Sequence, residues 1–259
     1  MSRALVTGAT VGLGRGFADA LADRGHDLIL VARNEERLAS VAADLRRTHG
    51  LAVETVSADL GRRDDVDRVA ALLADPERPV QVLVNNAGFG IEEPFLASSV
   101  ADEQAIIDVM VTAVMRLSHA ALPGMVERGS GRLINVSSVA GWITGSTYSA
   151  AKSWVTVFTE GLAGELAGTG VAATAVCPGF THTEFHQRAD MDMTGVPRWM
   201  WLDVDDVVSR ALKDSARGRT ISVAGRQYEA LSLAAQYLPR PLVRRISSGR
   251  RSGSGSAGR

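Results

Sequence analysis

Tyr148 and Lys152 stand four residues apart in Tyr148-Ser149-Ala150-Ala151-Lys152, a spacing that puts both side chains on one face of a helix. A tyrosine hydroxyl with its ordinary pKa of about 10 is a poor proton donor or acceptor at neutral pH. A cation one helical turn away stabilises the phenolate and lowers that pKa, so the pair is a candidate for general acid–base chemistry. Lysine is informative here, because only two of the 28 basic residues are lysines, Lys152 and Lys213. Its compact ammonium suits the task better than the arginine fork that this composition otherwise prefers. The plain alternative is a solvated pair on a surface helix.

A second candidate lies near the start of the chain. In Thr7-Gly8-Ala9-Thr10-Val11-Gly12-Leu13-Gly14, a glycine at 8 allows a tight turn. Glycines at 12 and 14 let backbone approach a pyrophosphate while a helix N-terminus faces the anion. Thr7, Thr10, Val11 and Leu13 complete this candidate nucleotide loop. Its Gly-x-x-x-Gly-x-Gly spacing differs from the Gly-x-Gly-x-x-Gly of many dinucleotide folds, and glycines that merely turn the chain are the competing reading. The next strand-like run ends Val31-Ala32-Arg33-Asn34. An acid there would accept bonds from a ribose 2′-hydroxyl, whereas Arg33 suits a 2′-phosphate through charge-assisted contact. NADP(H) is therefore favoured over NAD(H), with a solvated surface arginine as the alternative. Asp59-Leu60 offers a carboxylate for an adenine amino group, or a helix cap. Asn85-Asn86-Ala87-Gly88 ends another strand with small residues that permit close approach.

The elements that must position these residues alternate regularly. Strand-like runs at 4–6, 28–31, 52–56, 80–84, 133–136, 171–176 and 221–223 are separated by helical patterns near 13–24, 35–48, 64–74, 100–121, 147–167 and 203–215. Continuous apolar runs mark strands buried on both faces. Such alternation predicts an α/β protein with a single doubly wound parallel sheet, helices on both faces and ligands at the carboxyl ends of the strands. With 259 residues, 46% hydrophobic, the chain predicts one domain over 1–246. The tail 247–259 is Ser, Gly and Arg with one Ala and is expected to be disordered. Six arginines and no acid follow position 239, which fits a solvated tail or contact with an anionic membrane.

Composition narrows the partners. A net charge of −1 gives no reason to expect nucleic acid. The single cysteine, Cys177, forms no intrachain disulfide and reads as a small buried hydrophobe, and no Cys/His spacing resembles a zinc site. His182 and His186 lack an apparent third ligand and read as lid residues rather than metal ligands. Apolar runs fall short of a membrane span and nothing resembles a signal peptide, so the expectation is a cytoplasmic protein with no transmembrane segment. Met191, Met193, Trp199, Met200 and Trp201 read equally as core and as an apolar lid near 184–202. The lid reading makes Trp199 and Trp201 substrate contacts and the substrate bulky and apolar. The helix near 100–121 is apolar nearly all round, which suggests burial against the sheet and a second subunit, in a homodimer or homotetramer.

In order, Thr7–Gly14, Asn85–Gly88, Asn135-Val136-Ser137-Ser138, Tyr148–Lys152 and Pro178-Gly179 followed by Thr183 resemble the short-chain dehydrogenase/reductase family over roughly residues 3–223. Leu122-Pro123-Gly124-Met125-Val126-Glu127-Arg128-Gly129 and Thr183-Glu184-Phe185 resemble its general bacterial oxidoreductase branch. The resemblance implies a Rossmann-type fold and interconversion of a carbonyl compound and a secondary alcohol. It implies that Ser138 holds the substrate oxygen, that Tyr148 exchanges a proton with it, and that Lys152 lowers the tyrosine pKa and binds the nicotinamide ribose. Pro178, Gly179 and Thr183 would meet the nicotinamide. Ser137 ranks below Ser138 on family spacing.

The sequence departs from that pattern twice. Met110 stands where the family usually has an asparagine that organises a water relay from the lysine, and the segment from Ser138 to Tyr148 is about three residues short. These departures keep a second reading open, a nucleotide-binding regulatory protein that has lost turnover, while Ser138, Tyr148 and Lys152 speak for the enzyme. A Rossmann methyltransferase explains neither the Tyr–Lys pair nor Arg33.

Overall fold

In the computed structural model, which describes residues 2–91, 93–185, 193, 195–239 and 241–243, the apolar runs pair into one seven-stranded sheet. The strands are β1 Arg3–Thr7, β2 Asp27–Ala32, β3 Val53–Ser57, β4 Val80–Asn85, β5 Gly131–Val136, β6 Val171–Val176 and β7 Ile221–Ser222. Their order is β3-β2-β1-β4-β5-β6-β7, and each pairing is parallel. Alternate residues feed two cores. Ala4, Val6, Leu28 and Leu30 face one side with Phe17, Leu38 and Val208. Leu5, Ile29 and Val31 face the other with Val69, Leu117 and Met125. Burial on both faces is why these strands read as unbroken apolar runs.

The first face is covered by α1 (Gly12–Ala22), α2 (Glu35–His49) and, beyond β6, α7 (Val204–Ala216). The second carries α3 (Arg63–Ala74), a long helix and part of α6 (Thr147–Glu165). That long helix starts as α4 (Val100–Ile107), passes through a π-helical segment Asp108–Thr112 and continues as α5 (Ala113–Glu127). The sequence pattern predicts one helix ending near 121; the structure extends it to 127 and widens its middle. By length and composition alone this helix is apolar enough to cross a bilayer, with mean hydropathy 1.5, although no single apolar run in the sequence has that length. Ile106, Met110, Ala113, Leu117, Ala121 and Met125 are nevertheless buried within the protein, at the three- and four-residue spacings of a helix covering a sheet.

One element was not anticipated. A final helix, α8 (Arg226–Tyr237), follows β7 and packs on the 3₁₀ turn Val139–Trp142 after β5. Its periodicity, Tyr228, Leu231, Ala235 and Leu238, was legible, but alanine and serine between those positions dilute it. His186, Met191, part of the predicted lid and the 247–259 tail lie outside the described residues.

Candidate active site

Strand order reverses between β1 and β4, the switch point at which ligands enter doubly wound sheets. The turn after β1 is locked there by hydrogen bonds. The Gly8 N–H donates to the Val31 carbonyl (2.8 Å), and Gly8 adopts φ +66°, a left-handed conformation that favours glycine. The Thr7 hydroxyl accepts the N–H groups of Asn86 (2.9 Å) and Ala87 (3.0 Å). The Asn86 amide donates back to the Thr7 carbonyl (2.9 Å). No side chain caps the first turn of α1, so its leading N–H groups are left for an anion.

A single cleft of about 1060 Å³ runs from this turn across the carboxyl ends of the strands, large for a small-molecule site. Gly8, Thr10, Val11, Gly12 and Leu13 line one end, with Arg33, Asp59, Leu60, Asn86, Ala87 and Gly88 around them. Ser138, Tyr148 and Lys152 line the other, with Pro178, Gly179 and Thr183. Thr7 and Gly14 do not line it. Thr7 ties β1 to β4, and a Cβ on Gly14 would overlap the Gly8 carbonyl, so that glycine serves the packing of helix on turn. A Cβ on Gly12 would come within 3.0 Å of Thr183, so the segment after β6 folds back over the glycine turn. The uncapped helix, glycine cradle and basic rim together fit a dinucleotide.

Two arginines form that rim. Arg33, at the end of β2, is exposed. Arg37, one turn into α2, also lines the cleft and pairs with Glu184 (3.3 Å). Sequence reasoning missed Arg37, which sits among other charges in Glu35-Glu36-Arg37 without a motif of its own. The Asn34 side chain caps α2 by accepting the Arg37 N–H (2.7 Å), which fixes where that arginine emerges.

At the other end, Lys152 is buried and donates from Nζ to the Val136 carbonyl (2.7 Å). Ser137 is spent on structure, donating to the Lys152 carbonyl (2.7 Å) and bonding the Thr156 hydroxyl (2.7 Å). Ser138 caps the 3₁₀ turn by accepting the Ala140 N–H (3.1 Å). Despite the short connection to α6, it stays within reach of Tyr148.

The electrostatics correct one expectation. Tyr148 does not have a lowered pKa; burial in the cleft wall pushes it up to about 12, and only the Ser138 hydroxyl opposes that. The reason is geometric. The Lys152 ammonium faces the strand backbone and lies 5.7 Å from the Tyr148 ring centroid, while burial takes the lysine down to about 8. Loss of water dominates at both groups.

Met110 is fully buried in the π-helical segment, packed with Ile106 and Ala151 and flanked by Tyr148. A Cβ on Gly88 would lie 3.1 Å from its sulfur and 3.6 Å from the Lys152 ammonium, so both groups close in on this glycine. Trp199 and Trp201, expected to be substrate contacts, do not line the main cleft. Trp199 is 64% exposed. Trp201 stacks on His182 at 4.7 Å and faces a smaller hollow beside α1. Met200 between them does reach the cleft. Their alternation follows from extended backbone at Trp201 after a short 3₁₀ turn, which the residue types alone do not reveal. Cys177 is buried, with its thiol pushed up to about 12.

These features define an α/β nucleotide-binding protein with a tyrosine–lysine pair at the far end of its cleft. Residues 2–194 match the family model for short chain dehydrogenase, and the chain belongs to that family of NAD(P)-binding oxidoreductases. It is 40% identical over 186 residues to sulfoacetaldehyde reductase 2 of Chromohalobacter salexigens, covering 70% of this chain and 73% of that one. It is 36% identical over 189 residues to a very-long-chain 3-oxoacyl-CoA reductase of Anas platyrhynchos, covering 70% of this chain and 60% of that one. Among solved structures, a short-chain dehydrogenase from Sphingobium yanoikuyae in complex with NADPH superimposes with a TM-score of 0.83 at 33% identity. That match covers 100% of this chain and 98% of the other.

Proposed function

We propose that this chain is an NADP(H)-dependent reductase of a bulky, mostly apolar carbonyl compound, with Tyr148 as the proton donor. The observation that carries the reading is the unbroken cleft joining the glycine turn and Arg33 to Ser138, Tyr148 and Lys152. NADPH, when bound, supplies the hydride. Gly8 to Leu13 and the open N-terminus of α1 hold its pyrophosphate, and Arg33 with Arg37 holds the 2′-phosphate. Asp59, Leu60 and Asn86 to Gly88 receive the adenosine and its ribose, Pro178, Gly179 and Thr183 the nicotinamide end.

Ser138 donates a hydrogen bond to the carbonyl oxygen, where negative charge gathers in the transition state. Tyr148 transfers its proton to that oxygen. The Lys152 ammonium, 5.7 Å from the Tyr148 ring centroid, would stabilise the phenolate left behind by turning toward it from the Val136 carbonyl, and would also bond the nicotinamide ribose. Burial pushes the Tyr148 phenol up to about 12, so the resting hydroxyl carries the proton that reduction needs. Exposed Phe95, Leu96, Val100 and Met115, with the stacked Trp154 and Phe158 on α6, support assembly into a homodimer or homotetramer. The relatives named as reductases agree with the direction.

Absorbance at the nicotinamide band, followed with a panel of ketones, aldehydes and alcohols, tests the proposal. Oxidation of NADPH by apolar ketones is the expected result. Binding of NADPH with no turnover across the panel would replace the reading with that of a regulatory nucleotide-binding protein, to which the buried thioether of Met110 points.

A further inference from the structure

Part of the lining of the cleft comes from a helix with no motif. α8 presents Tyr228, Leu231 and Ala235 to the cleft, with Ser232 and Ala234 beside them and Leu238 just past the helix end. The first three share one helical face, and from Tyr228 to Ala235 they span about 10 Å at the helical rise. Nothing polar on this face is free for a ligand. The Ser232 hydroxyl donates to the Glu229 carbonyl (2.9 Å), and the Tyr228 hydroxyl donates to the Met200 carbonyl (2.7 Å) and accepts the Phe180 N–H (3.0 Å).

The start of α8 is fixed to the reaction end of the cleft. A Cβ on Gly179 would overlap the Tyr228 ring, so the glycine of the nicotinamide segment is dictated by the approach of α8. Glu229 pairs with Arg210 on α7 (2.8 Å). α8 packs on the 3₁₀ turn capped by Ser138, which adds Val139, Trp142 and half-exposed Ile143 to the same apolar lining.

We infer that α8 is the substrate-selecting wall and that the substrate is a carbonyl compound with an extended apolar tail lying along Tyr228, Leu231, Ala235 and Leu238. The inference rests on the reductase reading above and adds the shape of the substrate to it. A tail that leaves water along this wall contributes through its area, methylene by methylene.

The test is a homologous series of straight-chain methyl ketones from butanone to hexadecan-2-one. Each ketone is assayed for NADPH oxidation and, separately, titrated against the intrinsic tryptophan fluorescence of the protein with no cofactor. Wild-type kcat/KM and affinity should both climb by up to about fourfold per added methylene, then level off once the tail has passed Leu238. Ala235→Phe, which places a ring midway along the wall, should lower the ratio of long-chain to short-chain kcat/KM by about tenfold, equivalent to about two buried methylenes. Leu233→Gln, on the outward face of α8, should keep the wild-type dependence. Turnover or binding independent of chain length would overturn the inference while leaving the reductase intact. Chain-length-dependent binding that Ala235→Phe abolishes, without turnover of any ketone, would uphold the wall and remove the reductase reading. No binding of the long ketones would sink the wall whatever the turnover.

Discussion

The two ends of the cleft are made of different material. At the nucleotide end the lining is backbone and small residues, and its geometry is held by buried Thr7 and half-buried Asn86, with several bonds each: Thr7 to Val84, Asn86 and Ala87, and Asn86 to Thr7 and Gly8. At the substrate end the lining is side chains carried on segments outside the strands: the 3₁₀ turn, Phe180 and Met200, and α8. Leu231 there is 50% exposed and Ile143 40% exposed. A frame of backbone hydrogen bonds cannot change one residue without disturbing its neighbours, whereas an apolar wall exchanges side chains at a cost set by volume. On the proposed reading, the contrast places substrate specificity in side chains rather than in the sheet.

The sharpest break of that comparison is at its seam. Tyr148→Phe removes the proton donor without altering the nucleotide end, so turnover should fall by about 10²–10⁴-fold while NADPH affinity holds. Lys152→Ala should damage both, because the ammonium serves the phenolate and the ribose. Steady-state kinetics with a parallel fluorescence titration of NADPH separates the two effects, and an unchanged Tyr148→Phe enzyme would put the proton elsewhere. The next largest effect belongs to the rigid end. Arg33→Asp exchanges a charge-assisted contact for a repulsive carboxylate and should shift the NADPH-over-NADH preference by roughly ten- to hundredfold. Arg37, tied to Glu184, leaves some preference in place. Equal affinities in the wild type would remove Arg33 from the site.

A third outcome concerns pH. Tyr148, pushed up to about 12, stays protonated through the whole working range, while Lys152, taken down to about 8, does not stay charged. Reductive kcat/KM should therefore be flat below about pH 8 and fall by about tenfold per pH unit above it as the ammonium discharges. Unfolding is not the cause of that fall. Lysine binds its proton less well folded, at about 8, than at the ordinary 10.5, so the unfolded chain holds more protons in that window and this group makes stability rise with pH between them. Cys177, pushed from 9.0 up to about 12, works the other way above about pH 9, and Tyr148 does so above its ordinary value of 10. Activity that declines from pH 8 to 9 while the midpoint of thermal unfolding does not would bear out the sign. A profile flat to pH 10 would detach the charge of Lys152 from the reaction.

The same division governs how much was legible in the residues. Seven strands and the helices between them follow from apolar runs, the glycine turn, Arg33, Tyr148 and Lys152 follow from residue type and spacing, and Ser138 follows from the family resemblance. These features are local, so each is written in a short stretch of chain. What was missed is long-range. Arg37 matters because the end of β2 and the segment after β6 meet over it. Gly179 matters because Tyr228, far along the chain, lies against it. Trp199 and Trp201 carry the right residue types for a lid, but the local backbone turns them away from the main cleft. The direction of the Tyr148 shift was misjudged because spacing on a helix fixes proximity to Lys152, whereas burial, which spacing cannot show, dominates the energetics.

The smallest effect tests the one position where the rigid end touches the reaction. Met110 is buried in the π-helical segment, a local widening often found at functional sites, and its sulfur and the Lys152 ammonium both lie around Gly88. The family usually has an asparagine there, whose amide organises water leading from the lysine. A thioether accepts hydrogen bonds weakly and donates none, so it walls Lys152 off. Met110→Asn replaces a well-packed side chain by a polar one among Ile106, Ala151 and Tyr148, and burying an amide without full partners costs about 1–3 kcal/mol in stability. The unfolding midpoint should drop. Turnover should nevertheless rise, by about threefold, which is under 1 kcal/mol in the barrier, and the fall in kcat/KM above pH 8 should move to higher pH as the ammonium regains polar contact. A stable variant with unchanged turnover and an unchanged pH profile would show that proton supply to Lys152 does not limit this enzyme, and that Met110 only fills space beside the frame.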